Sequence, residues 1–213
     1  YSDANGDEQG IVLGASGTVK MSNGPAAAPS YQAIPASGPS IYDRVTAQTE
    51  VVNTAVETAI YTKTITGNAL STNKTLRLTL VGDYLNNSGA GDSIKWRFKY
   101  GATTVVGAWD GNHANHTARR AWKMVFELSN RGATNSQLGA WFGFMSQPAT
   151  PTYGTGFGES GDPVGNSLAY FAGIYGTAAV DSTVNQDLVV TVELVTAAAT
   201  ISLRIQYALL ELL

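Results

Sequence analysis

Between residues 187 and 213 the chain reads DLVVTVELVTAAATISLRIQYALLELL, and its apolar side chains recur at every second position. Leu188, Val190, Val192 and Leu194 share one face of an extended segment, with Thr191 and Glu193 on the other. After a short break, Ile201, Leu203, Ile205, Tyr207 and Leu209 repeat the pattern opposite Ser202, Arg204 and Gln206. A period of two marks half-buried strands, so the segment is expected to form two strands joined as an antiparallel hairpin. The final residues drop the alternation: Leu209, Leu210, Leu212 and Leu213 make both faces apolar. Such an end is expected to lie between packed layers or at a subunit contact.

The same alternation runs upstream. It is cleanest at 93–100, where Ile94, Trp96, Phe98 and Tyr100 interleave with Lys95, Arg97 and Lys99. Further strands are expected at 57–65, 75–84, 103–109, 119–129 and 137–147, with polar turns between them and a polar loop at 110–118. Within 119–129, Trp122, Met124, Phe126 and Leu128 are assigned to the interior, and within 137–147 so are Leu138, Ala140, Phe142 and Phe144, leaving Trp141 and Met145 outward. Residues 41–56 have the spacing for a turn or two of a three-stranded coiled coil, but their Thr and Val content favours a lead-in strand. Residues 148–186 form a long irregular insertion, whose aromatic patch at 168–175 offers an extra edge strand. About eight strands with regular turn signals predict an all-β, jelly-roll-like antiparallel β-sandwich over 41–213.

Residues 1–40 carry Gly and Pro every few positions and are expected to be an extended arm or linker. The chain begins at Tyr1 with no initiator Met or signal-like segment, the pattern of a piece of something longer. Only 14% of the 213 residues are charged and the formal net charge is −3, which gives no basic footprint for nucleic acid. No apolar run approaches the ~18 residues of a membrane span, so no membrane insertion is expected. The absence of cysteine excludes disulfides and thiolate metal sites.

The run GASGTVKMSNG at 14–24, followed by APSY at 28–31, resembles a Gly-x-x-Gly, Ser-Asn-Gly, Ala-Pro-x-Trp/Tyr module. That module recurs in tail fibres and other appendage proteins of tailed bacteriophages, ahead of a distal domain. The stretches at 58–65, 76–89, 130–137, 180–188 and 208–213 are similar to β-sandwich domains of phage structural proteins. The resemblance implies a non-enzymatic virion protein, assembled in the bacterial cytoplasm and placed on the tail or the capsid exterior. Its distal domain would contact the host surface, a surface glycan included, and residues 1–40 would join it to other virion proteins. A homotrimer is expected, because a closed ring buries a doubly apolar end and multiplies weak contacts. A capsid decoration protein or head fibre is the alternative, and a carbohydrate-binding or carbohydrate-active module a third reading.

Candidate site residues follow from exposure. Trp109, Trp141, Tyr153, Phe157, Tyr170 and Tyr175 lie at strand ends, on outward faces or in the insertion. They read either as a receptor or partner surface or as packing of the insertion onto the sandwich or a neighbour. Trp96, Trp122, Phe98, Phe126 and Phe142 read as core. Leu209, Leu210, Leu212 and Leu213 are the candidate subunit interface. Asp110, His113 and His116 could ligate a divalent metal, though a solvated loop tip explains them as well and no cofactor is expected. Glu127, Glu159 and Asp162 could be paired as in a glycosidase. They read better as surface acids, so no enzymatic activity is expected.

Overall fold

The computed structural model describes residues 18–21, 30–33, 38–146 and 172–213. The chain divides into two compact units, Tyr1–Gly38 and Pro39–Leu213. In the first, β1 (Thr18–Met21) and β2 (Ser30–Ala33) pair antiparallel, with Val19 opposite Gln32 and Lys20 opposite Tyr31. The stretch expected to be an extended arm thus carries a short hairpin.

The second unit holds β3 (Ser40–Val45), β4 (Thr49–Val52), β5 (Thr58–Ile65), β6 (Thr75–Asn86), β7 (Asp92–Tyr100), β8 (Thr103–His113) and β9 (His116–Asn130). These are followed by β10 (Gln137–Met145), β11 (Ala172–Ala178), β12 (Gln186–Leu194) and β13 (Ile201–Leu212). The larger sheet runs β11-β10-β9-β6-β13-β3, with β4 also on β13; the smaller runs β5-β12-β7-β8. With β3 and β4 counted as one broken strand, the eight strands of a jelly roll are complete: β3/β4-β13-β6-β9 faces β5-β12-β7-β8. The hairpin β10–β11 is an addition on the edge of the larger sheet. Residues 41–56 thus supply most of the broken lead-in strand β3/β4 rather than a coiled coil.

Two connections differ from expectation. Strands β12 and β13 are not a hairpin: β12 pairs with β5 and β7 in the smaller sheet, β13 with β6, β3 and β4 in the larger. Residues 195–200 form an arch between the layers. Both strands point their apolar residues into the same interior, so alternation alone cannot distinguish pairing side by side from stacking face to face. The polar stretch 110–118 is mostly strand, because β8 continues to His113 and β9 begins at His116. Only Ala114 and Asn115 turn the chain there.

The interior is aromatic where the layers meet. Trp96 of β7 meets Trp122 of β9 edge-on at 5.2 Å, and Phe98 stacks on Phe126 at 4.7 Å. Each such pair contributes about 0.5–1.5 kcal/mol beyond its buried area. Trp141 stacks on Phe98 from β10 at 5.9 Å and is only 3% exposed, whereas Phe142 is 57% exposed. The face assigned to β10 from sequence was thus reversed. The reason lies in Gly139 and Gly143, which flank Trp141 on the inner face: a Cβ at Gly139 would sit 2.6 Å from Val105 Cγ1, and one at Gly143 2.8 Å from Met124 Cγ. The glycines make room for the indole and neighbouring side chains in the core.

The two open sides are closed by different chemistry. On one, β11 lies against β8, where a Cβ on Gly176 would run into the Val105 carbonyl. On the other, Tyr61 Oη and Lys63 Nζ of β5 each donate to the Asp43 carboxylate of β3 at 2.9 Å. At one end a buried amide network fixes the turns. Gln137 donates to Asn130 Oδ1 (2.8 Å) and to the Val180 carbonyl (3.0 Å), and Asn130 donates to Ser182 Oγ (2.9 Å). Satisfied polar networks of this kind specify one arrangement of the loops they join.

Candidate functional site

The outer faces of the two sheets are surfaces that the described residues offer to others. Strand β6 alternates throughout, β9 over the middle of the sheet and β13 on either side of a bulge, so the residues facing away from the core fall into rows that cross the sheet. One row reads Phe142, Val125, Thr79, Leu209 and Arg44; the next reads Phe144, Lys123, Val81 and Tyr207. Together they form a largely apolar stripe over the middle of the larger sheet. A β-bulge between Ile205 and Tyr207 puts Tyr207 and Leu209 in it. Before the bulge Leu203 and Ile205 point inward; after it Ala208 and Leu210 do. The extra residue, Gln206, changes the phase, which corrects the expectation that Tyr207 and Leu209 share the face of Ile201.

Ionic rows border the stripe. On one side Arg77 Nε donates to Glu127 Oε1 at 2.7 Å, with Glu211 opposite Arg77 on β13. On the other, Arg119 reaches Asp83 (2.5 Å), Glu50 (3.2 Å) and Ser202 (2.6 Å), while Arg204 reaches Glu50 at 2.9 Å. The Arg204 hydrogen bond holds the Glu50 carboxyl below the ordinary glutamate range.

The smaller sheet's outer face is a ladder of charge. Lys95 and Arg97 bind Glu193 at 2.5 and 3.0 Å, Arg97 also meets Glu57 at 3.2 Å, and Lys99 contacts Glu57. Glu193 is held low by its hydrogen bond from Lys95, and Glu57 by those from Lys99 and then Thr191. Burial, and after it the Asp43 carboxylate, raises the Tyr61 hydroxyl; burial pushes that of Tyr100 up to about 12.

The edge hairpin presents side chains of another kind. Tyr175 of β11 is 76% exposed and sits opposite Ala140, with Phe142 exposed on the same face; Ile174, opposite Trp141, is exposed on the other face of the strand. Across the strand Phe142 faces Gly173, so each ring stands opposite a small residue.

Of the six candidate contact aromatics, Tyr175 is therefore on the surface and Trp141 is in the core. Tyr153, Phe157 and Tyr170 lie outside the described residues. Trp109 stands opposite Lys95 in β8, its side chain outside the described part. Among the C-terminal leucines, Leu210 is 0% exposed inside the chain's own core and Leu212 packs against that core. Leu209 and Leu213 are half-buried, and Leu209 lies in the outer stripe.

His113 is buried and tilted against Tyr84 at 5.2 Å; His116 Nδ1 accepts the Ala118 amide at 2.9 Å. The two histidines belong to strands of opposite sheets, and the side chain of Asp110 is outside the described part. Among the described residues no three His, Asp or Glu side chains come together as metal ligands. Glu127 is engaged by Arg77; Glu159 and Asp162 lie outside the described residues. Sequence reasoning missed the stripe, because its residues belong to five strands and only the register brings them together.

No family model matches the chain, and no curated protein matches it. Among solved structures the chain is similar to one described as "Structure of infectious bursal disease virus Gx strain", with 11% identity and a TM-score of 0.29. The match covers 92% of this chain and 47% of that one, so the chain spans about half its length.

Proposed function

We propose that this chain is a non-enzymatic virion protein of a tailed phage, the distal domain of a tail fibre or comparable appendage that contacts the host surface. The resemblance of 14–31 to an appendage module supports this, as does a jelly roll following it in the chain. The observation that carries the reading is the β10–β11 hairpin. The jelly roll is complete without it, yet it adds an edge on which Tyr175 and Ile174 stand exposed. Exposed aromatic and aliphatic side chains on a paired strand are contact groups, and a tyrosine with its two side-chain torsions loses little conformational freedom on binding.

The test is competition. The isolated chain, added to host cells, should block adsorption of virions carrying it, and Tyr175→Ala with Ile174→Ala should weaken that block several-fold. Unchanged blocking by the double variant would overturn the contact surface. Reconstruction of the virion separates the placements: density at the tail tip supports the appendage, and density on the capsid lattice replaces it with a decoration protein.

A further inference from the structure

We propose that the chain pairs with a second copy of itself through the outer face of its larger sheet, about a two-fold axis. The axis lies in the plane of that face, across the strands, midway between the two apolar rows. The inference does not depend on the virion reading; it comes from the order of charges around the stripe.

Along β9, β6 and β13 the first ionic row reads Glu127, Arg77, Glu211: negative, positive, negative. The second reads Arg119, Asp83, Arg204: positive, negative, positive, with Glu50 of β4 next beyond Arg204 and bonded to both arginines. Pairing within each row satisfies neighbouring strands and accounts for alternation along a row. It does not require the two rows to be in opposite phase.

The two-fold operation uses that phase. Residues 77 and 83 of β6 are equally far from the midpoint between 79 and 81, so Arg77 comes to face the partner's Asp83. On β9, Glu127 comes to face the partner's Ala121, beside which the partner's Arg119 carries its guanidinium into the Asp83 row. On β13 the bulge at Gln206 brings Arg204 level with Asp83, so Glu211 faces the partner's Arg204.

Between these rows the stripe closes on itself. Leu209 faces the partner's Tyr207, Thr79 the partner's Val81, and Val125 the stem of the partner's Lys123. An apolar centre with a charged rim of matched sign is the anatomy of a specific protein contact, and an isologous one must be self-complementary in this manner.

Sedimentation equilibrium of the full chain over a range of concentrations should show a monomer–dimer equilibrium that weakens with salt. Leu209→Glu, on the outer face and clear of the core, should raise the dissociation constant roughly 30-fold or more while leaving the thermal midpoint of the monomer, read at high dilution, nearly unchanged. The decisive pair is Arg77→Glu and Asp83→Arg. Either alone sets like charges against each other twice per dimer and should abolish association. Mixed in equal amounts, they restore both contacts and should form a heterodimer. A monomer at all concentrations, a trimer, a dimer indifferent to Leu209→Glu, or variants that fail to associate on mixing would each overturn the proposal.

Discussion

The two sheets bury the same kind of interior and wear different exteriors. On the smaller, Lys95, Arg97 and Lys99 interlock with Glu193 and Glu57, so the outward face is spent on charge that water and neighbouring strands satisfy. On the larger, the corresponding positions hold Val125, Lys123, Thr79, Val81, Tyr207 and Leu209, with the ion pairs moved to the borders. Packing inside the sandwich does not dictate this difference, since outward side chains take no part in the core. It separates a face made for solvent from one made for contact.

The largest effect that sharpens the contrast comes from adjacent residues on β13. Leu210 lies fully within the core, so Leu210→Ala should lower unfolding stability by about 2–5 kcal/mol. Leu209→Ala, one residue earlier and facing outward, should change the monomer by about 0.5 kcal/mol or less. Urea midpoints of the two variants measured at high dilution decide it. Equal losses would mean that the bulge is misplaced and the stripe does not exist.

Gly82 comes next, because it sits where the bulge forms. A Cβ there would run into the Arg204 carbonyl and lie 2.7 Å from Trp122 Cε2. Gly82→Ala should therefore cost about 1–3 kcal/mol, the range for overpacking a close approach. It should also reduce self-association, since it disturbs the register that aligns Arg204 with Asp83. A variant as stable as the parent, with unaltered association, would detach the bulge from both roles.

Much of this architecture was legible in the sequence, and what was not has physical causes. The strand expected at 93–100 is found at Asp92–Tyr100 with Ile94, Trp96, Phe98 and Tyr100 all buried, because strict alternation leaves one solution. The jelly-roll class followed from the number and spacing of such runs. Alternation reports a face and not a partner, so the arch at 195–200 read as a hairpin. It also reports relative phase, which one inserted residue reverses, as Gln206 does. In β10 both faces carry large apolar groups, and the deciding signal was the small residues: Gly139 and Gly143 sit on the inner face and admit Trp141. The rows of the outer stripe are a property of register among strands distant in sequence, which one strand's pattern does not contain.

The smallest effect tests the solvent-facing half of the comparison. Glu193 and Glu57 titrate below the ordinary glutamate range in the folded chain, held there first by the hydrogen bonds from Lys95 and Lys99. A folded value depressed below the unfolded one gives stability that is present above about pH 4.3 and lost as pH falls through the folded value. These carboxylates are partly exposed, so each pair is worth on the order of 0.2–1 kcal/mol, and salt reduces it. Glu193→Gln should flatten the acid limb of the urea midpoint between about pH 5 and 3, shrink its salt dependence, and leave the sedimentation behaviour untouched. If Glu193→Gln dissociated the dimer as Leu209→Glu is expected to, the charged face would be the contact after all, and the roles assigned to the two exteriors would be exchanged.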